Sequence, residues 1–206
     1  MDEDFAGFLE DFGPAIEQRH VPPSSIERYR GKLPDQLLSY WKEHGWCGYA
    51  DGLFWTVDPQ EYEPVLDAWI GDTPFMEKDA YHIFARSAFG ELYLWGEKTG
   101  NSLNIFPPGS YCLPRESKAA KKDMNFAMQL FFGALDREDN DFEGMFAQTL
   151  KKLGRLHSSD MYGFVPALAL GGEFSLKNLQ TVKAVEHLVI LAQLAPLEVI
   201  THPSQI

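Results

Sequence analysis

YHIFARSAFGELYLWGEKTGNSLNIF, residues 81–106, is the stretch whose reading decides the fold. It holds three short apolar runs: YHIFAR at 81–86, LYLW at 92–95 and LNIF at 103–106. Each is too short for a helix and rich in the aromatic and branched residues that suit strands. Gly90, Gly96, the Gly100-Asn101 pair and the PPG of 107–109 punctuate them. Such residues supply the backbone conformations of tight turns. The stretch reads as an antiparallel meander.

Before it, the Asp51-Gly52 turn leads into LFWTV at 53–57, a further short strand. The rest of the N-terminal half reads as helix. Phe5, Phe8, Leu9 and Phe12 fall on one helical face, with acids at its start and Gly13-Pro14 at its end. A second helix begins near Pro34, carries Leu37, Leu38 and Trp41 inward, and stops at Gly45. Asp58 offers a cap to a third, whose buried face is Tyr62, Val65, Leu66 and Trp69. Pro64 predicts a kink or a late start there.

After the meander, the polar and partly basic PRESKAAKKD of 114–123 marks a boundary. Beyond it the pattern predicts helices only. MNFAMQLFFGAL, residues 124–135, is apolar nearly all round and predicts burial on more than one side, between two units. DREDND at 136–141 reads as an acidic loop. Phe142, Met145, Phe146, Thr149, Leu150 and Leu153 keep a helical rhythm that Gly154 ends. Ser175 is the expected cap of a last long helix, with Leu179, Val182, Val185, Leu188, Val189 and Ala192 inward and Pro196 closing it. The expected fold is α+β: N-terminal helices packed on a small antiparallel sheet over residues 1–114, then an all-α domain over 115–206.

The chain has 206 residues, 45% apolar and 14% aromatic, a globular composition. No apolar run approaches the ~20 residues that span a bilayer. An acidic N-terminal stretch is unlike a secretory signal, so a cytoplasmic protein is expected. The net charge of −12 opposes direct binding to nucleic acid or anionic membranes. It suits either solubility alone or a basic protein partner.

The residues of chemistry form no motif. Two cysteines, Cys47 and Cys112, lie far apart and read as reduced, buried thiols. Six histidines (His20, His44, His82, His157, His187 and His202) show no metal-ligand spacing. No phosphate loop is present, and Gly171-Gly172 before Ser175 lacks the lysine that one would need. Carboxylates cluster at Asp58, Glu61 and Glu63, at Asp72, Glu77 and Asp79, and at Asp136, Glu138, Asp139, Asp141 and Glu143. Solvated surface explains them; so do contacts for a partner's lysines and arginines. Trp46 and Tyr49, in a glycine-rich turn, are the aromatic residues expected to be exposed as anchors. A hydrolase using an acid pair or a Cys-His pair is the competing reading.

LPDQLLSYWKEHGWCGYADGLFWTVDPQEYEPVLDAWI, residues 33–70, is similar to the start of the GAD-like domain. YGFVPALALGG at 162–172, followed by NLQTVKAVEHLVILAQL at 178–194, resembles the helical domain joined to it at the C-terminus. In that order the pair resembles the immunity proteins encoded beside type VI secretion DNase effectors in Gram-negative bacteria. The resemblance implies a protein that binds a cognate nuclease toxin in the cytosol and blocks it. The net charge adds the expected mode: the acidic chain, monomeric before binding, covers the basic surface with which a nuclease holds phosphates. The resemblance implies no catalytic residue, no cofactor and no metal, and it assigns no contact residues. A protein-interaction module with no toxin is the alternative it leaves.

Overall fold

The structure, a computed structural model, describes residues 2–201. The predicted meander is there and belongs to a larger sheet. β1 (Ile16–Arg19), β2 (Trp46–Tyr49) and β3 (Phe54–Thr56) precede β4 (Tyr81–Ser87), β5 (Leu92–Gly96) and β6 (Gly100–Phe106), and β7 (Tyr111–Pro114) follows. These seven lie side by side in chain order, every neighbour antiparallel. Sequence patterning reveals neither β1 nor β2. IEQR has no alternation, and WCGY looks like a glycine-rich turn. Gly48 is nonetheless a strand residue: a Cβ there would stand 2.9 Å from the Trp55 ring of β3. Only glycine lets that indole lie across the neighbouring strand.

Trp55, Arg86 and Leu92 are cross-strand partners and share one face of the sheet. Ala85, Tyr93 and Asn104 share the other. Each face is covered by different helices. The helices of the N-terminal half are α1 (Glu3–Phe12), α2 (Pro23–Tyr29), α3 (Asp35–His44), α4 (Glu63–Ile70) and α5 (Pro74–Lys78). α4 starts late, so that Pro64 falls in its first turn, where a missing N–H costs nothing. After the 114–123 stretch comes α6 (Met124–Gly133), capped by Asp123. α6 packs on α1, α3 and β6. The Phe8 ring sits 4.8 Å from Tyr49 and 5.1 Å from Phe132, with Phe54 and Phe5 beside it. The aromatic half-layer between α1, α3, α6 and the sheet is the centre of the core. α6 is buried on its Ala127, Met128 and Phe132 side only. Phe126 and Leu130, one turn apart, are exposed, which corrects the expectation of burial nearly all round.

The remaining elements are α7 (Arg137–Asn140), α8 (Phe146–Leu153), β8 (Asp160–Phe164), β9 (Leu179–Lys183), α9 (Ala184–Ala192) and β10 (Glu198–Val199). The α+β class holds. What differs is local: β8 and β9 form an antiparallel hairpin where sequence patterning predicts helix. Ser175 makes no side-chain cap, and α9 begins only at Ala184. Leu179 and Val182 are three apart, the spacing of a helix face; in the strand that forms they lie on opposite sides. Gly163 lets Val182 and His187 close over β8: a Cβ on Gly163 would meet both at under 3 Å. β10 joins the large sheet parallel to β7.

One side chain ties the parts together. Arg86 of β4 is fully buried. It donates to the Tyr62 hydroxyl at 2.7 Å, to the Ser87 carbonyl at 3.2 Å, and to the Ser158 and Asp160 carbonyls at 3.0 and 2.7 Å. Its guanidinium also lies 5.3 Å from the Trp55 ring centre. Around it the Tyr162 amide donates to the Ala88 carbonyl, and the Trp69 indole donates to the Leu188 carbonyl. Apolar residues from both halves, such as Phe54, Phe132, Met161 and Leu188, belong to one continuous core. Arg86→Met is expected to lower unfolding free energy by about 3 kcal/mol or more, because several buried acceptors lose their donor at once. Urea denaturation of the two proteins measures it. Arg86→Lys should recover only part of the loss, since one ammonium lacks the reach of a planar fork.

Candidate partner-binding site

The acids expected at a binding surface separate into those the fold has used and those it has left free. Asp79 is buried and accepts from the amides of Ala80, Lys98 and Thr99 and from the Thr99 hydroxyl, which closes the β5–β6 turn. It is a structural residue, and its reading as a solvated loop acid is corrected. Asp58 is likewise buried and accepts from the Gln60 amide. Trp46 and Tyr49 are also corrected: they are 5% and 1% exposed. The turn they were assigned to is a sheet strand. Trp46 packs edge-on to Trp41 under the Arg19 guanidinium, and Tyr49 lies against Phe8. Glu61 is exposed and forms a two-point ion pair with Arg19. Glu63, Asp72 and Glu77 are exposed. No hydrogen bond or ion pair among the described residues ties these three to the acids of 136–143.

The 136–143 group is built differently. Asp136 caps α7 through the Glu138 amide, and Asp141 accepts from the Phe146 amide at the start of α8. Two of the five acids therefore shape the segment, and Glu138, Asp139 and Glu143 are presented outward. Their frame is held by packing. Phe142, Glu143 and Gly144 all have positive φ (55°, 58° and 78°), a run that costs free energy for side chains with a Cβ. It is held because the Phe142 ring stacks against Phe89 at 4.9 Å and Phe106 at 5.2 Å. Asn140 anchors the other side. Its Oδ1 accepts from the Tyr93 hydroxyl at 2.9 Å, and its Nδ2 donates to the Asp136 carbonyl.

Next to this segment is a cavity of about 520 Å³. The turn before β5 supplies Glu91, and the sheet Tyr93 and Asn104; α6 supplies Leu130 and Phe131, and Asp139 of α7 and Arg115 and Lys118 of the 114–123 stretch also line it. Glu91 accepts from Asn104 Nδ2 at 3.2 Å. Burial pushes its carboxyl up to about 7, against the pull of Asn104 and of the Arg115 charge. Sequence reasoning missed Glu91 because it follows Gly90 in a turn and looks like a solvated acid. Asn104 carried the legible signal: an amide between Leu103 and Ile105 in a buried strand needs a partner.

Other chemistry finds little support. Cys47 and Cys112 are buried, and burial raises both thiols, that of Cys112 to about 11. The Cys47 sulfur contacts Gly45 and Thr56 rather than a histidine. Burial lowers the pKa of His187. His202 lies outside the described residues. Among the described residues, no group of three or more His, Cys, Asp or Glu is placed to hold a metal ion. No described helix is long and apolar enough to cross a membrane.

Residues 3–108 match the GAD-like domain family, which is half of the chain. Residues 125–195 match the C-terminal domain of the type VI secretion immunity protein Tdi1. The crystal structure of Atu4351 from Agrobacterium tumefaciens is similar with a TM-score of 0.84 and 24% identity, over 98% of this chain and 95% of that one. At that identity the likeness is one of fold. No curated protein matches the chain in sequence.

Glu91 makes stability depend on pH. Its folded pKa lies above the ordinary 4.5, so the fold favours the protonated form. That contribution is whole below about pH 4.5 and is lost as pH rises through about 7. Glu91→Gln is therefore expected to match the parent near pH 4.5 and to exceed it at pH 8 by roughly 1–3 kcal/mol. Urea melts at the two pH values read the difference.

Proposed function

The chain belongs to the GAD-like family, and from that premise, together with its Tdi1-type C-terminal domain, we propose that it binds and neutralises a cognate type VI nuclease toxin. In this reading it is an immunity protein that works in the cytoplasm and makes or breaks no bond. The observation that carries it is the pairing of outward acids with exposed apolar side chains. Glu138, Asp139 and Glu143 are exposed on a segment anchored by Phe142 and Asn140, and Phe126 and Leu130 lie open on the helix before it. A nuclease needs a basic surface to hold phosphates. An acidic surface covers that patch and competes with DNA. Charge complementarity speeds capture, and a buried apolar centre slows release. Glu61, Glu63, Asp72 and Glu77 are secondary candidates for the same contact. The partner is one basic protein bound by one copy of this chain, with no direct contact to nucleic acid.

A second reading, a hydrolase, draws on the two carboxyl groups that face the cavity, Glu91 and Asp139. A pair of carboxyls around one bond is the minimum for acid–base hydrolysis, and one raised towards neutrality suits the acid. Release of nitrophenol from aryl glycosides by the purified chain, abolished in Glu91→Gln, would establish this reading; we expect no release.

The inhibitor reading is tested with the product of the neighbouring gene. We expect a 1:1 complex in which plasmid cleavage stops. Glu138→Lys, Asp139→Lys and Glu143→Lys together should slow association about 10-fold at low salt and flatten its salt dependence. Phe126→Ala with Leu130→Ala should leave association alone and speed dissociation roughly 10-fold or more. Surface-plasmon kinetics separate the two. If neither set of changes moves either rate, the docking surface lies elsewhere.

A further inference from the structure

The cavity beside α6 and α7 has the capacity for one small molecule or one long side chain. What matters is which polar atoms are left unused inside it. Asn140 is fully engaged, with Tyr93 on one side and the Asp136 carbonyl on the other. Asn104 is 8% exposed and has committed its amide group to Glu91. Among the described residues no donor reaches Asn104 Oδ1. Glu91 accepts from Asn104, and the Tyr93 hydroxyl lies within reach of it as well, which uses only part of what a carboxylate accepts. Asp139 lines the same space and makes no hydrogen bond or ion pair among the described residues. The acceptors with capacity to spare are two carboxyl groups and an amide oxygen, beside the exposed lining cations Arg115 and Lys118. One wall is aromatic, with the Phe131 ring 5.5 Å from that of Tyr93.

We propose that this cavity receives an arginine side chain of the protein partner, whose guanidinium donates to Glu91 and Asn104 beneath Asp139. The inference rests on the reading of the chain as an inhibitor of a basic protein. Three acceptors set around one space call for a planar group with several fixed donors, which an ammonium is not. A guanidinium also stacks on an aromatic wall. Arg115 and Lys118 line the cavity too and are exposed; neither hydrogen bonds to Glu91. In the free chain Arg115 is the cation that eases the charge on Glu91, and the incoming guanidinium takes over that part.

The probe is N-acetyl-arginine amide, which carries the side chain's charge and no main-chain charge. Titrated into the isotope-labelled full chain, it should shift the side-chain amide signals of Asn104 and Asn140 saturably, with a Kd of about 1–10 mM, the strength of a few charge-assisted hydrogen bonds. N-acetyl-citrulline amide, isosteric and uncharged, should cause no such shift. Glu91→Gln, checked for folding by its amide spectrum, should weaken binding roughly tenfold. Arg115→Ala should tighten it. The proposal is overturned if the shifts do not saturate, if citrulline binds as arginine does, or if Arg115→Ala weakens binding, which would make the cavity an anion site. The neighbouring nuclease separates this from the broader reading. If Glu91→Gln neutralises it as well as the parent does and arginine fails to bind, the cavity inference falls and the inhibitor reading stands. If arginine binds but the nuclease does not, the inhibitor reading falls instead.

Discussion

A single buried guanidinium sets the arrangement of this molecule. No carboxylate among the described residues pairs with Arg86, and it is fully enclosed. A charge in that position costs several kcal/mol unless the surroundings solvate it. Here they do so with a tyrosine hydroxyl, three backbone carbonyls and an indole face. Two of those carbonyls, Ser158 and Asp160, come from the far half of the chain. β8 must therefore begin against β4, and α9 follows it onto α4, where the Trp69 indole meets Leu188. Gly90 permits the close fit: a Cβ at its φ of 87° would stand 2.5 Å from the Met161 methyl. One face of the sheet is spoken for by this requirement.

The other face is covered by helices, but not completely. α1, α3 and α6 fill it over β2, β3 and β4 with aromatic rings packed edge to face. α6 ends at Gly133, where a side chain would strike Asp4 of α1. The chain then turns back through the Asp136 cap into α7. The helix layer stops before the sheet does, and the cavity over Tyr93 and Asn104 is the gap. Phe142 fixes its far side by stacking on two rings at the expense of three consecutive left-handed residues. Strain of this kind persists only where packing over-determines it. Side chains mounted on such a frame lose little freedom when a partner arrives, and preorganisation of that sort favours affinity.

How much of this was legible in the sequence follows from how local each signal is. The meander, α1, α3 and the helix over 146–153 announced themselves through period and punctuation. The late start of α4 was readable from Pro64. β1 and β2 were not, because their strand character comes from neighbours: Gly48 is a strand residue only because Trp55 lies on it. The β8–β9 hairpin was hidden for a similar reason, since Leu179, Val182 and Val185 keep a helical spacing and the strand is fixed by its pairing with β8, where Gly163 leaves room for Val182 and His187. At the candidate site the 136–143 acids were visible as composition. The cavity was not, because Glu91, Asn104, Asp139 and Arg115 are distant in sequence and meet only when α6 lies on the sheet. Asn104, polar within an apolar strand, was the one hint available.

Net charge alone is a poor guide to where an acidic protein binds. Of the acids grouped near one another in sequence, Asp58, Asp79, Asp136 and Asp141 hold backbone amides, and Glu61 holds Arg19. Each is already engaged with the fold, and using it elsewhere would unsatisfy a turn, a helix start or an ion pair. The carboxylates that can meet a partner are those with nothing to give up, such as Glu138, Asp139 and Glu143. Leu130, exposed on α6, lines the same cavity as Asp139, and covering an apolar side chain of that kind is favourable. Acids that hold nothing in the fold, beside an unburied Leu130, are the groups that the proposed partner would cover.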